Sequence, residues 1–198
     1  MYNGLLRDDV GRTPSILTRS SFSGMQRYNA VVWSGDVGND MDCLRRQIAG
    51  GLNYVATGMP WWTYDAGGFF RPGNQYTDKA YQQRMLRWIE TSVFLPIMRV
   101  HGYQSRTEPW EYPADIEKIF VDCIKERQEL LPYIKECARR VATEDYTLMR
   151  PIVFDFCDDT EALRQETEYM FGPKYLVCPV TADNVTEWKV YLPKNKKG

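Results

Sequence analysis

The chain has 198 residues and a formal net charge of -1, with 43% hydrophobic and 14% aromatic residues. That length suits one domain, falls short of the about 250 residues typical of a whole barrel enzyme, and carries enough apolar side chains for a real core. With acids and bases in balance, no basic stripe is available to neutralise phosphates, which argues against a nucleic-acid partner.

Five cysteines (Cys43, Cys123, Cys137, Cys157 and Cys178) are widely spaced, form no CxxC pair, and accompany a single histidine. Neither a structural zinc site nor a disulfide framework is expected, and no metal or other cofactor is indicated. Most of these cysteines have apolar neighbours and read as small buried hydrophobes. Met1-Tyr2-Asn3-Gly4 lacks a basic segment followed by an apolar run, and no stretch approaches about 18 apolar residues, so neither a signal peptide nor a membrane span is expected. The compartment of a longer parent stays open. Lys194-Asn195-Lys196-Lys197 reads as a solvated basic tail. Six Trp and thirteen Tyr are many for this length. Such rings stack on sugar faces, and they fill aromatic cores equally well.

Residues 1–14 are polar and lead to a first short strand at Ser15–Thr18. A Gly-containing loop, Ser20–Asn29, precedes a second apolar run, Ala30–Trp33. Leu44, Ile48 and Leu52 repeat every four residues behind Asp40 and Asp42, the pattern of an amphipathic helix with acids at its N-terminus. Gly50-Gly51 is expected to loosen its end, and Asn53–Gly58 reads as a third strand closed by Met59-Pro60-Trp61-Trp62. A loop from Thr63 to Tyr76 follows, with Thr77 as a cap. Tyr81, Met85, Trp88 and Ile89 form the inner face of the next helix. Phe94–Val100 leads into a fourth strand ending at His101-Gly102. After the loop Tyr103–Pro113, Ile116, Phe120, Cys123 and Arg127 form one helical stripe, beside Ile119, Ile124, Leu130 and Leu131. Pro132 permits a new helical start, so Tyr133–Thr143 continues as helix. Alternating strands and helices to this point indicate parallel βα units. Beyond Asp145 the texture changes. Met149–Phe156, Tyr175–Val180 and Thr186–Leu192 read as strands, with Thr160–Tyr169 as a polar helix or turn. A boundary near residue 150 is expected, and no repeat of fixed period is visible.

In stacked βα units, functional side chains sit where the strands end. Arg19, after Ser15-Ile16-Leu17-Thr18, and Asp36, after Ala30-Val31-Val32-Trp33-Ser34-Gly35, are then a cation and a carboxylate at the mouths of neighbouring strands. A plain loop salt bridge is the alternative. His101 could be structural, and Asp65 ahead of Ala66-Gly67-Gly68 could be a turn residue. Gly67-Gly68 lacks the spacing of a phosphate loop. Trp61 and Trp62 suit a core as well as a sugar platform. Glu108, Asp155 and the Asp158-Asp159 pair carry no assigned role, the last reading as a solvated turn.

Five segments in order, Thr18-Arg19-Ser20, Gln26-Arg27-Tyr28, Trp33-Ser34-Gly35-Asp36, Asp65-Ala66-Gly67-Gly68-Phe69 and Met98-Arg99-Val100-His101-Gly102, resemble the family 31 glycoside hydrolases, the α-glucosidase and α-xylosidase family. The resemblance runs over nearly the whole chain. It implies an α/β fold: the second half of a (β/α)8 (TIM) barrel, strands five to eight, over 1–150, followed by the start of a β-sandwich domain over 151–198. It implies Asp36 as the catalytic acid/base. Arg19, Trp33, Asp65, Phe69 and His101 become the substrate-binding residues, and an oligosaccharide or glycoside the substrate. Ala66 stands where the family usually has Ile, a mild departure. The Trp-Ser-Gly-Asp and Trp-Trp-Thr-Tyr-Asp segments resemble bacterial members that release α-xylose or α-glucose.

Hydrolysis with retention needs two carboxyls roughly 5–5.5 Å apart, one a nucleophile and one an acid/base. The family's nucleophile lies in a Trp-x-Asp-Met/Phe-Asn/Gly-Glu segment before the Arg19 position. Asp8 and Asp9 stand in the wrong context for it. The expectation is a fragment of a retaining α-glycosidase, inactive alone, whose open barrel edges favour self-association or marginal stability. A non-catalytic carbohydrate-binding or structural remnant is the second reading, a lyase of the same family is another, and a nucleotide-binding βα protein is poorly supported.

Overall fold

The computed structural model describes residues 1–9 and 11–194. Its first sheet is parallel, in the order β1 (Ile16–Thr18), β2 (Ala30–Trp33), β3 (Trp62–Thr63). Ile16 pairs with Ala30 and Thr18 with Val32, while Val32 pairs with Trp62 and Trp33 with Thr63. The strands expected at Ser15–Thr18 and Ala30–Trp33 are therefore present and adjacent, so their C-terminal ends open on the same side. A short helix α1 (Tyr2–Asp8) precedes them.

Between β2 and β3 runs α2 (Met41–Ala56), and between β3 and the last parallel element runs α3 (Lys79–Val93). The Asp40 side chain accepts a hydrogen bond from the Cys43 N–H at 2.7 Å, satisfying one of the helix's orphan donors. Leu44, Ile48, Leu52 and Val55 turn inward. The strand expected at Asn53–Gly58 is not there. The i, i+4 stripe simply continues to Val55, α2 passes through Gly50-Gly51 intact, and the third strand starts only at Trp62. Gly51 is needed for packing: a Cβ there would sit 2.5 Å from the Trp62 ring. The cap of α3 is Asp78, which accepts from the Tyr81 N–H, while Thr77 donates to the Asn74 carbonyl. A carboxylate one residue closer to the helix wins over the hydroxyl. Tyr81, Met85, Trp88 and Ile89 are fully buried, as their spacing requires.

The fourth parallel element is one bridge, Ala66 to Val100, supported by the Ala66 N–H donating to the Arg99 carbonyl at 3.2 Å. Its approach is not strand but a chain held by side chains. Arg127 on α4 (Ala114–Glu129) donates to the carbonyls of Val93, Leu95 and Pro96 at 2.6–2.9 Å. It thereby satisfies carbonyls that the end of α3 leaves unpaired. Burial pulls its pKa down to about 10, still a cation at neutral pH. Pro132 sits in the first turn of α5 (Leu131–Thr143), where its missing N–H costs nothing.

A second, antiparallel sheet comprises β4 (Met149–Pro151), β5 (Tyr169–Phe171) and β6 (Tyr175–Val177). β5 replaces the end of the polar segment expected at Thr160–Tyr169, whose only helical turn is 3-10, at Ala162–Arg164. Leu148, Met149, Tyr169, Phe171 and Val177 join the same continuous core as α2–α5. Thr186–Leu192 forms no strand among the described residues. It is irregular, tied by the Tyr191 N–H to the Glu168 carboxylate and by the Tyr191 hydroxyl to Asp159, and pairs with no strand. Asp159 is thus a tether as well, accepting also from the Lys194 N–H, within the exposed turn expected at Asp158-Asp159. The basic tail beyond Lys194 lies outside the described residues. No helix of the described residues is long and apolar enough to cross a membrane. All five cysteines are free thiols, three of them buried.

The two glycines of α2 should separate in a denaturation series. A methyl group added at Gly50 would meet nothing within 4 Å, so Gly50→Ala should gain about 0.5–1 kcal/mol. Gly51→Ala should lose about 1–3 kcal/mol by overpacking against Trp62. Equal urea midpoints for the two variants would contradict this account of α2.

Candidate active site

Six sequence-derived residues stand at the C-terminal ends of the parallel strands. Arg19 follows β1 and Asp36 follows β2, and their side chains approach to 3.8 Å, Arg19 Nη1 to Asp36 Oδ2. Both remain open to solvent, at 59% and 37% exposure. Gly35 allows the approach: its φ is +92°, and a Cβ there would lie 2.7 Å from Arg19 Nε. The two strand ends thus face each other because the residue between Ser34 and Asp36 has no side chain.

Asp65 follows β3 and is wholly buried, in an ion pair with Arg99. The same Arg99 guanidinium lies 5.7 Å from the centre of the Trp33 ring. Trp33, Arg99 and Asp65 therefore form a stack running from β2 to the fourth parallel element. Asp65 also plays the bland role considered for it, since its carbonyl accepts the Gly68 N–H at 2.9 Å and closes a turn. Removing Arg99 would strand a buried carboxylate, which is costly.

Phe69 and His101 meet on the far side, ring centres 5.7 Å apart. The Phe69 and Phe70 N–H groups both donate to the Val37 carbonyl, at 3.0 and 3.1 Å, which docks the loop after β3 onto the loop after β2. Gly68 makes this contact feasible: at φ +79°, a Cβ would lie 2.6 Å from the Gly38 carbonyl oxygen.

Two arginines that sequence reasoning left without a role organise these loops. Besides Arg99, Arg71 donates to the carbonyls of Gly68 (3.1 Å), Ala66 (2.8 Å) and His101 (3.2 Å), and to the Tyr112 hydroxyl (3.1 Å). The signal available for Arg71 was its place just after Gly67-Gly68-Phe69-Phe70, where turn carbonyls need donors. Trp62, by contrast, is core, packed edge-on against Tyr64. Glu108 sits at the N-terminus of a 3-10 turn, and Asp155 pairs with Arg150 at 2.9 Å. Among the described residues no group of His, Cys, Asp and Glu is arranged to hold a metal ion.

Electrostatics link the two sides. Partial burial and the Arg99 and Arg71 guanidinium groups push the His101 imidazole below its ordinary value of 6.5, and Asp36 pulls it back up. The neutral imidazole is therefore favoured in the folded chain. The unfolded chain takes up the proton first as pH falls, so the stability His101 contributes is present above 6.5 and is lost as pH drops through the folded midpoint. With one histidine in the chain, a single imidazole resonance reports this directly. Its NMR midpoint should lie below 6.5 and fall further in Asp36→Asn. A midpoint unmoved by that substitution would show that Asp36 and His101 do not share a site.

Known proteins with this sequence pattern and fold are glycoside hydrolases. The glycosyl hydrolase family 31 TIM-barrel domain matches residues 1–136, and the family 31 C-terminal domain matches residues 145–197. The α-xylosidase of Saccharolobus solfataricus is 46% identical over 91% of this chain, and α-xylosidase A of Aspergillus niger is 39% identical over 90% of it. The chain spans 24% and 27% of the length of those two relatives. The crystal structure of a family 31 α-xylosidase from a soil metagenome, complexed with xylose, superposes with a TM-score of 0.90 at 36% identity, over 98% of this chain and 31% of that one. These matches cover both sheets and every residue of the candidate site, and the chain belongs to glycosyl hydrolase family 31.

Proposed function

We propose that this chain carries the acid/base side of a retaining α-glycosidase that acts on terminal α-xylosides or α-glucosides. The observation that carries the reading is the meeting of Asp36 and Arg19 at the mouths of adjacent parallel strands, 3.8 Å apart, within the electrostatic reach of His101. The two α-xylosidases at 46% and 39% identity favour xylose as the sugar released.

In this reading the three parallel strands and the Val100 bridge are the fifth to eighth of a (β/α)8 barrel. The barrel piece ends near residue 150, and the second sheet begins a β-sandwich. Asp36 gives its proton to the oxygen of the departing group, then takes one from the water that completes hydrolysis. Arg19 lies beyond hydrogen-bond distance of Asp36, so its donor fork remains available to sugar hydroxyls. A neutral His101 can donate to one hydroxyl, and Phe69 backs it. Trp33 offers its ring to the sugar's apolar face, and the Asp65–Arg99 pair beneath supports that ring from below rather than touching the sugar.

Such chemistry requires a second carboxylate, and none of the 198 residues occupies its sequence context. The nucleophile would come from polypeptide outside this stretch. The isolated chain should show no turnover above background, because removing one member of a concerted set typically loses orders of magnitude in rate.

The test is the genomic locus around these codons, the intact mass of the native polypeptide, and expression of the whole reading frame. If that frame supplies an Asp in the Trp-x-Asp context, Asp36→Asn should lower kcat on alkyl α-xylosides by about 100- to 10,000-fold, with a smaller loss for aryl leaving groups that depart without a proton. Wild-type rates in that variant would overturn the assignment. If the native product is these 198 residues, sugar binding without turnover becomes the activity, the reading favoured by the missing second carboxylate.

The free edge of β1 among the described residues, with Leu17 and Phe22 exposed beside it, should make the isolated chain associate with itself. Sedimentation velocity should show species larger than a monomer, growing with concentration. A concentration-independent monomer with a sharp cooperative melt would contradict it.

A further inference from the structure

A cavity of about 150 Å³ lies between α3, the first turn of α2 and residues 182–185 of the C-terminal segment. Arg84 and Arg87 line it from α3, three residues apart and so on one face of the helix. That face is a different stripe from the buried Tyr81, Met85 and Trp88. Met41 at the start of α2 closes one side, and Asp183 and Asn184 close the other. None of these residues has a place in the sugar site.

The lining has an excess of unmet positive charge. Arg84 is half-buried, and its Nε is shut off from solvent with no hydrogen-bond acceptor. No acid pairs with Arg84 among the described residues. Arg87 gives one Nη to Glu90 at 3.0 Å, which leaves other donors of its fork open. Asp183, the acid of the lining, is exposed and pairs with neither arginine. The two long helices α2 and α3 begin at this place, with Met41 and Ala80 in their first turns, and add the positive ends of their dipoles. Asp40 and Asp78 each cap one N–H and leave others of those turns open. A buried donor without an acceptor calls for a specific explanation, such as an ion or ordered water. The space exceeds one water, whose share of liquid volume is roughly 30 Å³. Two guanidinium forks facing an amide are the donor set that holds a tetrahedral oxyanion.

We propose that Arg84 and Arg87 bind a free oxyanion of the phosphate class, and that this anion ties residues 182–185 to α3. Its oxygens accept from both guanidinium groups and from the Asn184 amide. The segment after β6 is thereby coupled to the helices beside the parallel sheet. The proposal does not rest on the sugar-site reading.

Inorganic phosphate is the probe, added to the protein expressed from its whole reading frame and compared with chloride at equal ionic strength. Calorimetry reads binding, and hydrogen exchange reads the segment. Saturating phosphate should slow amide exchange over residues 182–185 about tenfold. Arg84→Met keeps the aliphatic stem and removes the unpartnered donor. In chloride its exchange over 182–185 should match the wild type, and it should bind phosphate about tenfold more weakly. Asp183→Asn removes the one competing carboxylate of the lining and should bind phosphate about threefold more tightly. Unchanged phosphate binding in Arg84→Met would overturn the site, as would phosphate that leaves exchange over 182–185 unmoved. An Asp183→Asn protein that exchanges faster in chloride and takes up no phosphate would also overturn it, with Asp183 itself as the counter-ion of Arg84.

Discussion

The Arg71 guanidinium is the interaction on which the site side of this molecule depends. A planar fork with five donors reaches Ala66 and Gly68 in the loop after β3, His101 after the fourth parallel element, and Tyr112 ahead of α4. Three of its acceptors are backbone carbonyls with no strand ladder to join. A lysine at that place would offer three donors from a point and could not span them in one plane. Gly102 shows how tightly the fork is seated, since a Cβ there would fall 2.6 Å from Arg71 Nε. The loop that carries Phe69 and the segment that carries His101 are tied to each other by this one side chain.

The parallel strands supply the other constraint. They are only two to four residues long, yet their register is enough to bring loop residues together from distant parts of the sequence. Thr18 beside Val32, and Trp33 beside Thr63, put Arg19, Asp36 and Asp65 on one rim. Beyond the strands the backbone continues in step. The Ser34 N–H donates to the Thr63 carbonyl, and the Ala66 N–H to the Arg99 carbonyl. The site is a continuation of the sheet carried by single hydrogen bonds. Glycine at 35 and 68 lets neighbouring segments approach within what a side chain would occupy.

Much of this was legible in the sequence, and each error has its own physical origin. Ile16–Thr18, Ala30–Trp33 and the inner face of α3 follow from apolar period alone. The misplaced third strand arose because Gly50-Gly51 looks like a break. Burial of Leu44, Ile48, Leu52 and Val55 outweighs the weak helix propensity of two glycines, and Gly51 is a packing requirement of Trp62. Thr186–Leu192 failed for the opposite reason: its alternation is real, but a strand also needs a partner, and period carries no information on that. In the candidate site, Arg19, Asp36, Phe69 and His101 were singled out by motif, and the fold brings Arg19 to Asp36 and Phe69 to His101. Arg71 and Arg99 were missed because their work is done on carbonyls and a buried carboxylate that only the fold brings within reach.

The distribution of charge across the site bears on how its chemistry can be divided. Asp65 and Arg99 cancel each other below the surface, and Arg71 is spent on carbonyls. Arg19 and Asp36 remain exposed and loosely paired. Proton transfer and hydroxyl recognition need groups whose partners can be exchanged for substrate, whereas the scaffold needs partners that cannot. A 3.8 Å ion pair open to water costs little to rearrange, while a buried pair costs several kcal/mol to break. The same division explains why both exchangeable groups lie toward β1 and β2, on the open side of the sheet. There the strand order leaves β1 without a neighbour on one side among the described residues.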